Sequence, residues 1–179
     1  MKVHEANQGL TLPGSVVAIG AFDGVHQGHQ AVLRQAVERS RQLGVESVAY
    51  TIDPPPRCRF QGSRMLTTLQ EKLDRFAVLG LNHAVVAHFD ERYAARRVDA
   101  FIRELTALNP REVIVGQDFR FGRNREGDVA LLRRHFPVRI VQTVCCADGQ
   151  RISSTRIREL IERGEWEQST VLLGWPLSS

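Results

Sequence analysis

The sequence predicts an α/β fold: an open, parallel, five-stranded sheet with helices on both faces. Three observations carry this. Apolar, β-branched runs alternate with stretches of helical periodicity along nearly the whole chain. Each run is followed by a crossover of helix length, which favours right-handed parallel pairing over hairpins. The segments richest in Gly, Pro and His (20–29, 53–60 and 116–128) all follow strand ends, where sheets of this kind bind ligands.

The first strand is VVAIG at 16–20, and the turn AFDGVHQGH leads from it into the helix AVLRQAVERSRQLG, which Gly44 ends as a C-cap. ESVAYTID is the second strand. The Pro-rich PPPRCRFQGSR cannot continue a strand and reads as a loop. Thr68 and Glu71 form a capping box for the helix LQEKLDRFAVLG. HAVVAHF is the third strand, VDAFIRELTALN a helix and REVIVG the fourth strand. Asp128 caps the short helix VALLRRHF, and VRIVQTV is the fifth strand. Ser153, Ser154 and Thr155 then precede a helix whose Ile157, Leu160 and Ile161 share one face, and a linker-like tail begins at Gly174.

Composition narrows the function classes. At 179 residues and 42% hydrophobic, the chain is long enough for one well-packed domain, expected over 1–179. No apolar run reaches the length of a membrane span and MKVHEANQGL lacks a signal-peptide core, so a cytoplasmic protein with no membrane partner is expected. Cys58, Cys145 and Cys146 form neither a CxxC nor an even disulfide framework and read as reduced, structural thiols. The net charge of +4 is carried mostly by arginines, whose planar fork suits phosphate. Pairs such as Arg39/Arg41 and Arg133/Arg134 are scattered and are not interleaved with aromatics, so no nucleic-acid partner is expected.

The chemistry concentrates at two places. A strand, a tight turn and a helix start bring unpaired N–H groups and the positive end of the helix dipole to one point, where phosphate can be held. His26 and His29 add donors there, and Gly28 keeps a side chain away from the ligand's oxygens. Imidazoles so placed can donate to oxygens that gain charge as a phosphoanhydride breaks. A pair of merely solvated histidines is the bland alternative. A zinc pair is disfavoured because no third ligand lies at suitable spacing. The second place is the start of ISSTRIRELIERG, where small hydroxyls usually cap and where Arg156 and Arg158 add a second phosphate cradle.

AIGAFDGVHQGH resembles the nucleotide-binding signature of bacterial FAD synthetases, whose N-terminal domain is an FMN adenylyltransferase of the HxGH nucleotidyltransferase superfamily. TIDPPPRCRF, LTTLQEKLDRF, VGQDFRFGRNREGD and ISSTRIRELIERGEWEQSTVLLG are similar to the family's later blocks and stand in the same order, from Val16 to Gly174. The resemblance implies a Rossmann-like sheet of nucleotidyltransferase type. It implies transfer of AMP from ATP to FMN, giving FAD and pyrophosphate, with Mg2+ carried on the ATP phosphates and no assigned protein ligand. His26, His29 and Arg158 would then be catalytic. Gly20, Phe22, Asp23, Gly24, Gly28, Asp118, Ser154 and Thr155 would bind nucleotide, Pro56, Phe60 and Phe121 would bind flavin, and Arg156 would point to solvent.

Two departures qualify the substrate. The family usually has Phe where Ile52 stands and Pro-His-Pro where this chain has Pro54, Pro55 and Pro56, which removes a polar group from the loop expected beside the flavin. LLGWPLSS stands where longer members run on into a riboflavin kinase domain, so that domain is expected to be absent. Two alternatives therefore stay open: nucleotidyl transfer to a different phosphorylated acceptor, and flavin-nucleotide binding without turnover.

Overall fold

The computed structural model describes residues 1–176. Six strands, β1 (Lys2–Glu5), β2 (Ser15–Gly20), β3 (Glu46–Asp53), β4 (His83–His88), β5 (Pro110–Gly116) and β6 (Val138–Val141), form one sheet in the order β1-β4-β3-β2-β5-β6. Every neighbouring pair is parallel. The sheet thus has six strands rather than the expected five. The addition, KVHE, pairs along β4 from Lys2 with His83 to Glu5 with Val86. It lies at the edge, is four residues long and is largely exposed, so it shows no alternation of apolar and polar residues for pattern reading to find.

Among the described residues there are eight α-helices: α1 (Gln27–Leu43), α2 (Pro56–Gln61), α3 (Leu69–Leu79), α4 (Glu91–Ala94), α5 (Val98–Ala107), α6 (Val129–Arg133), α7 (Ser154–Glu162) and α8 (Trp166–Leu173). Successive side chains of a strand point to opposite faces, and β2 divides accordingly. Val16 and Ala18 pack with Leu33, Ala36 and Phe76 of α1 and α3. Val17 and Ile19 pack with Phe101 and Leu105 of α5 and Leu132 of α6. A third cluster, Ile157 and Leu160 with Leu172 and Leu173, joins α7 to α8.

The expected caps are present: Gly44 in the left-handed region, the reciprocal Thr68–Glu71 box, and Asp128 accepting from the Leu131 N–H. Three expectations are corrected. The Pro-rich loop contains α2, because Pro56 occupies the first helical turn, where no amide donor is required and a fixed φ suits the helix. The tail at Gly174 is not free over its first residues: Gly174 caps α8 at φ +73°, and the half-buried Trp175 bonds back to the body of the protein, while residues 177–179 lie outside the described residues. Phe121, expected to face a flavin, is 7% exposed and belongs to the core. Its ring lies 5.0 Å from that of Phe101, and a Cβ on Gly127 would sit 2.8 Å from it.

Candidate functional site

Strand order reverses at β2, whose neighbours are β3 on one side and β5 on the other, so a crevice opens beyond its carboxyl end. The chain turns there from β2 into α1 through a left-handed stretch: Phe22, Gly24 and Val25 have φ of +50°, +79° and +45°. Side-chain-bearing residues hold such angles only where their surroundings impose them. At Gly24 a Cβ would come within 2.9 Å of Leu66 and 3.0 Å of Leu173, so glycine is required for space as well as for angle. The turn delivers His26 to the N-cap of α1, where its Nδ1 accepts from the His29 N–H at 3.3 Å. With Nδ1 accepting, the neutral ring carries its proton on Nε2. The His26 and His29 rings stack with centroids 3.6 Å apart and planes 19° from parallel. A Cβ on Gly28 would press the His26 ring at 3.1 Å and lie 3.7 Å from the Ile152 carbonyl, which brings α1 close to the approach to α7.

Both imidazoles are held neutral. Burial, then the Arg151 guanidinium, lowers the His26 pKa to about 4, and its residue is 5% exposed. The His29 pKa is also lowered, by burial first and then by His26 and Lys72. Although His29 is half-buried by surface, its Nδ1 is enclosed and has no hydrogen-bond partner among the described residues. The pair is therefore neutral rather than cationic, and His26 presents its Nε2–H as a donor.

The second helix start is tied to the first. Ser153 is the N-cap of α7, its Oγ accepting from the Arg156 N–H at 3.2 Å. Ser154 Oγ donates to the Asp23 carbonyl at 3.0 Å, and Arg158 pairs with the Asp23 carboxylate. Arg158 also donates from Nε to the Arg64 carbonyl at 2.7 Å and lies 3.7 Å from the Cys58 Sγ. Asp23, 3% exposed, takes a further bond from the Leu66 N–H at 3.0 Å. Burial raises its pKa while Arg158 and the amide donors pull the other way. Arg156, expected in solvent, is half-buried and donates to the Cys146 Sγ at 3.1 Å, because the chain before α7 doubles back through a Cys145–Arg151 bridge.

Between the loop after β5 and the start of α7 lies a cavity of ≈ 540 Å³ lined by Arg57, Arg120, Arg125, Arg151, Asp118 and Thr155, with Gln117 and Ser153. Arg151 pairs with Asp118, and Arg57 donates to Thr155 Oγ1 at 2.5 Å. A slightly larger cavity, ≈ 590 Å³, opens at the amino ends of the strands around Gly14, Ser47 and Asn82, away from both histidines. The smaller one is the better candidate because it joins the second helix start to the loop after β5, the strand beside β2 at the switch point. Phe60, on α2, is 63% exposed, with one edge on Phe89 at 5.4 Å. Pro56 is half-buried and Gly20 ends β2, where a Cβ would meet the Phe22 ring at 2.9 Å.

Of the residues expected at the site, His26, His29, Gly24, Gly28, Asp23, Ser154 and Arg158 come together, with Gly20 and Phe22 shaping the turn; Asp118 and Thr155 line the cavity beside them. The cationic lining from Arg57 and Arg151 was not singled out in the sequence. Its signal is an arginine immediately after the proline run and another two residues before Ser153 of the hydroxyl-rich cap.

A parallel sheet with this switch point, a donor-rich turn and two stitched helix starts defines a nucleotidyltransferase-like α/β protein. The chain belongs to the FAD synthetase family, whose model matches residues 10–156. A bifunctional riboflavin kinase/FMN adenylyltransferase of Escherichia coli K12 is 36% identical over 186 residues, covering 98% of this chain and 59% of the relative. One from Listeria monocytogenes is 36% identical, covering 92% of this chain and 55% of the relative, so the chain spans little more than half the length of such proteins. A Listeria monocytogenes FAD synthetase is 34% identical, covering 90% of this chain and 69% of the relative. A solved Streptococcus pneumoniae structure, described as a macrolide-efflux protein, superposes at a TM-score of 0.87 with 26% identity, over 99% of this chain and 61% of that one. Among the described residues, no helix is long and apolar enough to cross a membrane.

Proposed function

We propose that the chain transfers AMP from ATP to FMN, releasing pyrophosphate and forming FAD. The observation that supports this most is the stitching of two phosphate-facing helix starts through Asp23 beside an arginine-lined cavity. A phosphate oxygen of FMN attacks the α-phosphorus of ATP in line, and the bond to the pyrophosphate oxygen breaks. The acceptor brings its own charged nucleophile, so the protein's work is positioning and charge stabilisation. His26 and His29 donate to oxygens that gain charge, and Ser154 and Arg158 hold the second helix start against the turn. Arg57, Arg120, Arg125 and Arg151 supply the positive field for the polyphosphate. Phe60 and Pro56 offer an apolar wall for the flavin ring.

No group of three or more His, Cys, Asp or Glu side chains among the described residues could hold a metal ion. Magnesium, which favours phosphate oxygens and retained waters, would arrive on the triphosphate in this reading and is given no protein-bound step. A second reading, in which another phosphorylated molecule is the acceptor, is favoured by Pro55, which is buried where the resemblance leads one to expect histidine. The test is incubation of the purified protein with ATP, Mg2+ and FMN, with separation of FAD and assay of pyrophosphate. FAD formation is expected. Pyrophosphate release with other phosphorylated acceptors but not with FMN would establish the second reading, and tight FMN binding without release would show a binding domain.

A further inference from the structure

The turn that presents His26 is also held from behind, by Trp175 and Arg75 from outside both helix starts and by Gln30 of α1. Trp175 Nε1 donates to the Val25 carbonyl at 2.8 Å, and Gln30 Nε2 donates to the same oxygen at 3.0 Å and to the Leu173 carbonyl at 3.1 Å. Arg75 donates to the Gly24 carbonyl at 2.7 Å while its guanidinium lies over the Trp175 ring, 5.4 Å from the centroid. The two carbonyls so gripped belong to residues at positive φ, +79° at Gly24 and +45° at Val25, immediately before the N-cap histidine. A Cβ on Gly174 would strike Gln30 Nε2 at 2.9 Å, so the chain leaving α8 lies tightly against α1.

From this geometry we propose that Trp175 is a positioning residue for nucleotidyl transfer: with Arg75 it clamps the 22–25 turn so that His26 meets the polyphosphate in register. The proposal rests on the reading of His26 as a phosphate donor. The indole N–H fixes the Val25 carbonyl, the indole face fixes the guanidinium, and the guanidinium fixes the neighbouring carbonyl. With Gln30, which shares the Val25 carbonyl, this aromatic side chain holds two consecutive peptide planes whose residues have positive φ. Because the clamp acts through His26, its loss belongs in kcat rather than in the KM for ATP.

The test uses Trp175→Phe, which keeps an aromatic ring beside Arg75 but loses the N–H donor together with part of the indole. The variant is expected to lower kcat for FAD formation about three- to tenfold, the effect of one lost hydrogen bond, with an unchanged KM for ATP. In a His26→Ala background the same substitution is expected to cost nothing further, since the residue it positions is gone. Hydrogen exchange of the substrate-free protein is expected to quicken in Trp175→Phe across residues 22–30 and to stay unchanged in β3 and β4. Equal losses with and without His26, a loss confined to KM, or unaltered exchange at the turn would each overturn the clamp. If the wild-type protein forms no FAD, the adenylyl-transfer reading fails, and the exchange measurement still decides whether Trp175 holds the turn.

Discussion

At the scale of single residues, the candidate site carries two imidazoles held neutral by burial. Burial holds His26 and His29 below their ordinary pKa, and the N-cap bond from the His29 N–H to Nδ1 leaves His26 Nε2 as the donor. His29→Ala is expected to reduce the rate of FAD formation by about a hundredfold to a thousandfold, as the loss of an oxyanion donor does; an effect of only a fewfold would remove His29 from the reaction. The same burial links stability to pH. A histidine with a folded pKa of about 4 and an ordinary value of 6.5 contributes stability that is complete above pH 6.5 and is lost as pH falls towards 4, because the unfolded chain binds the proton first. Asp23, whose carboxyl is raised by burial, has the opposite slope just above its ordinary value of 3.8. Urea unfolding of wild type and His26→Asn between pH 7 and 4 separates the two: the wild type should weaken more steeply over this range than the variant.

At the scale of elements, what matters is how a strand becomes a helix in a few residues. Gly24→Ala adds a Cβ at a φ of +79° and within 2.9 Å of Leu66, and is expected to destabilise by about 1–3 kcal/mol while moving His26 off its cap. Thermal unfolding and the FAD-forming rate should both fall, whereas Gly44→Ala, at a similar φ but in open space, should leave the rate intact. The glycine turn, both histidines and the hydroxyl cap were legible in the sequence because each is a local arrangement. The strands β2 to β6 were legible because each buries one or two faces in a repeating pattern. β1 was not, since an exposed edge strand need not bury anything. α2 was not, since three consecutive prolines signal a break, yet the last of them suits a first helical turn. The arginine-lined cavity was not, since Arg57 on α2 and Arg151 before α7, far apart in the chain, line one cavity only once α2 is brought to the start of α7.

At the scale of the whole molecule, the site exists only if the α7–α8 unit is fastened to the sheet at the right place. Its own core, Ile157, Leu160, Leu172 and Leu173, is separate from the two that flank the sheet. The fastening is polar: Ser154 to the Asp23 carbonyl, Arg158 to the Asp23 carboxylate, and Gln27 and Gln30 to the Val171 and Leu173 carbonyls. Asp23→Asn leaves the Arg158 guanidinium, whose side chain is 12% exposed, without its counter-charge. Breaking a buried pair from one side costs about 3–5 kcal/mol. Replacing both partners, Asp23→Asn with Arg158→Met, removes the stranded charge and is expected to recover much of that loss in urea unfolding. Activity should not follow stability, because the ion pair that adds to the Ser154 bond in registering the second helix start to the first would be gone. A double variant that regains both stability and the FAD-forming rate would mean that the pair only holds the fold, and that the two helix starts reach the same triphosphate without it.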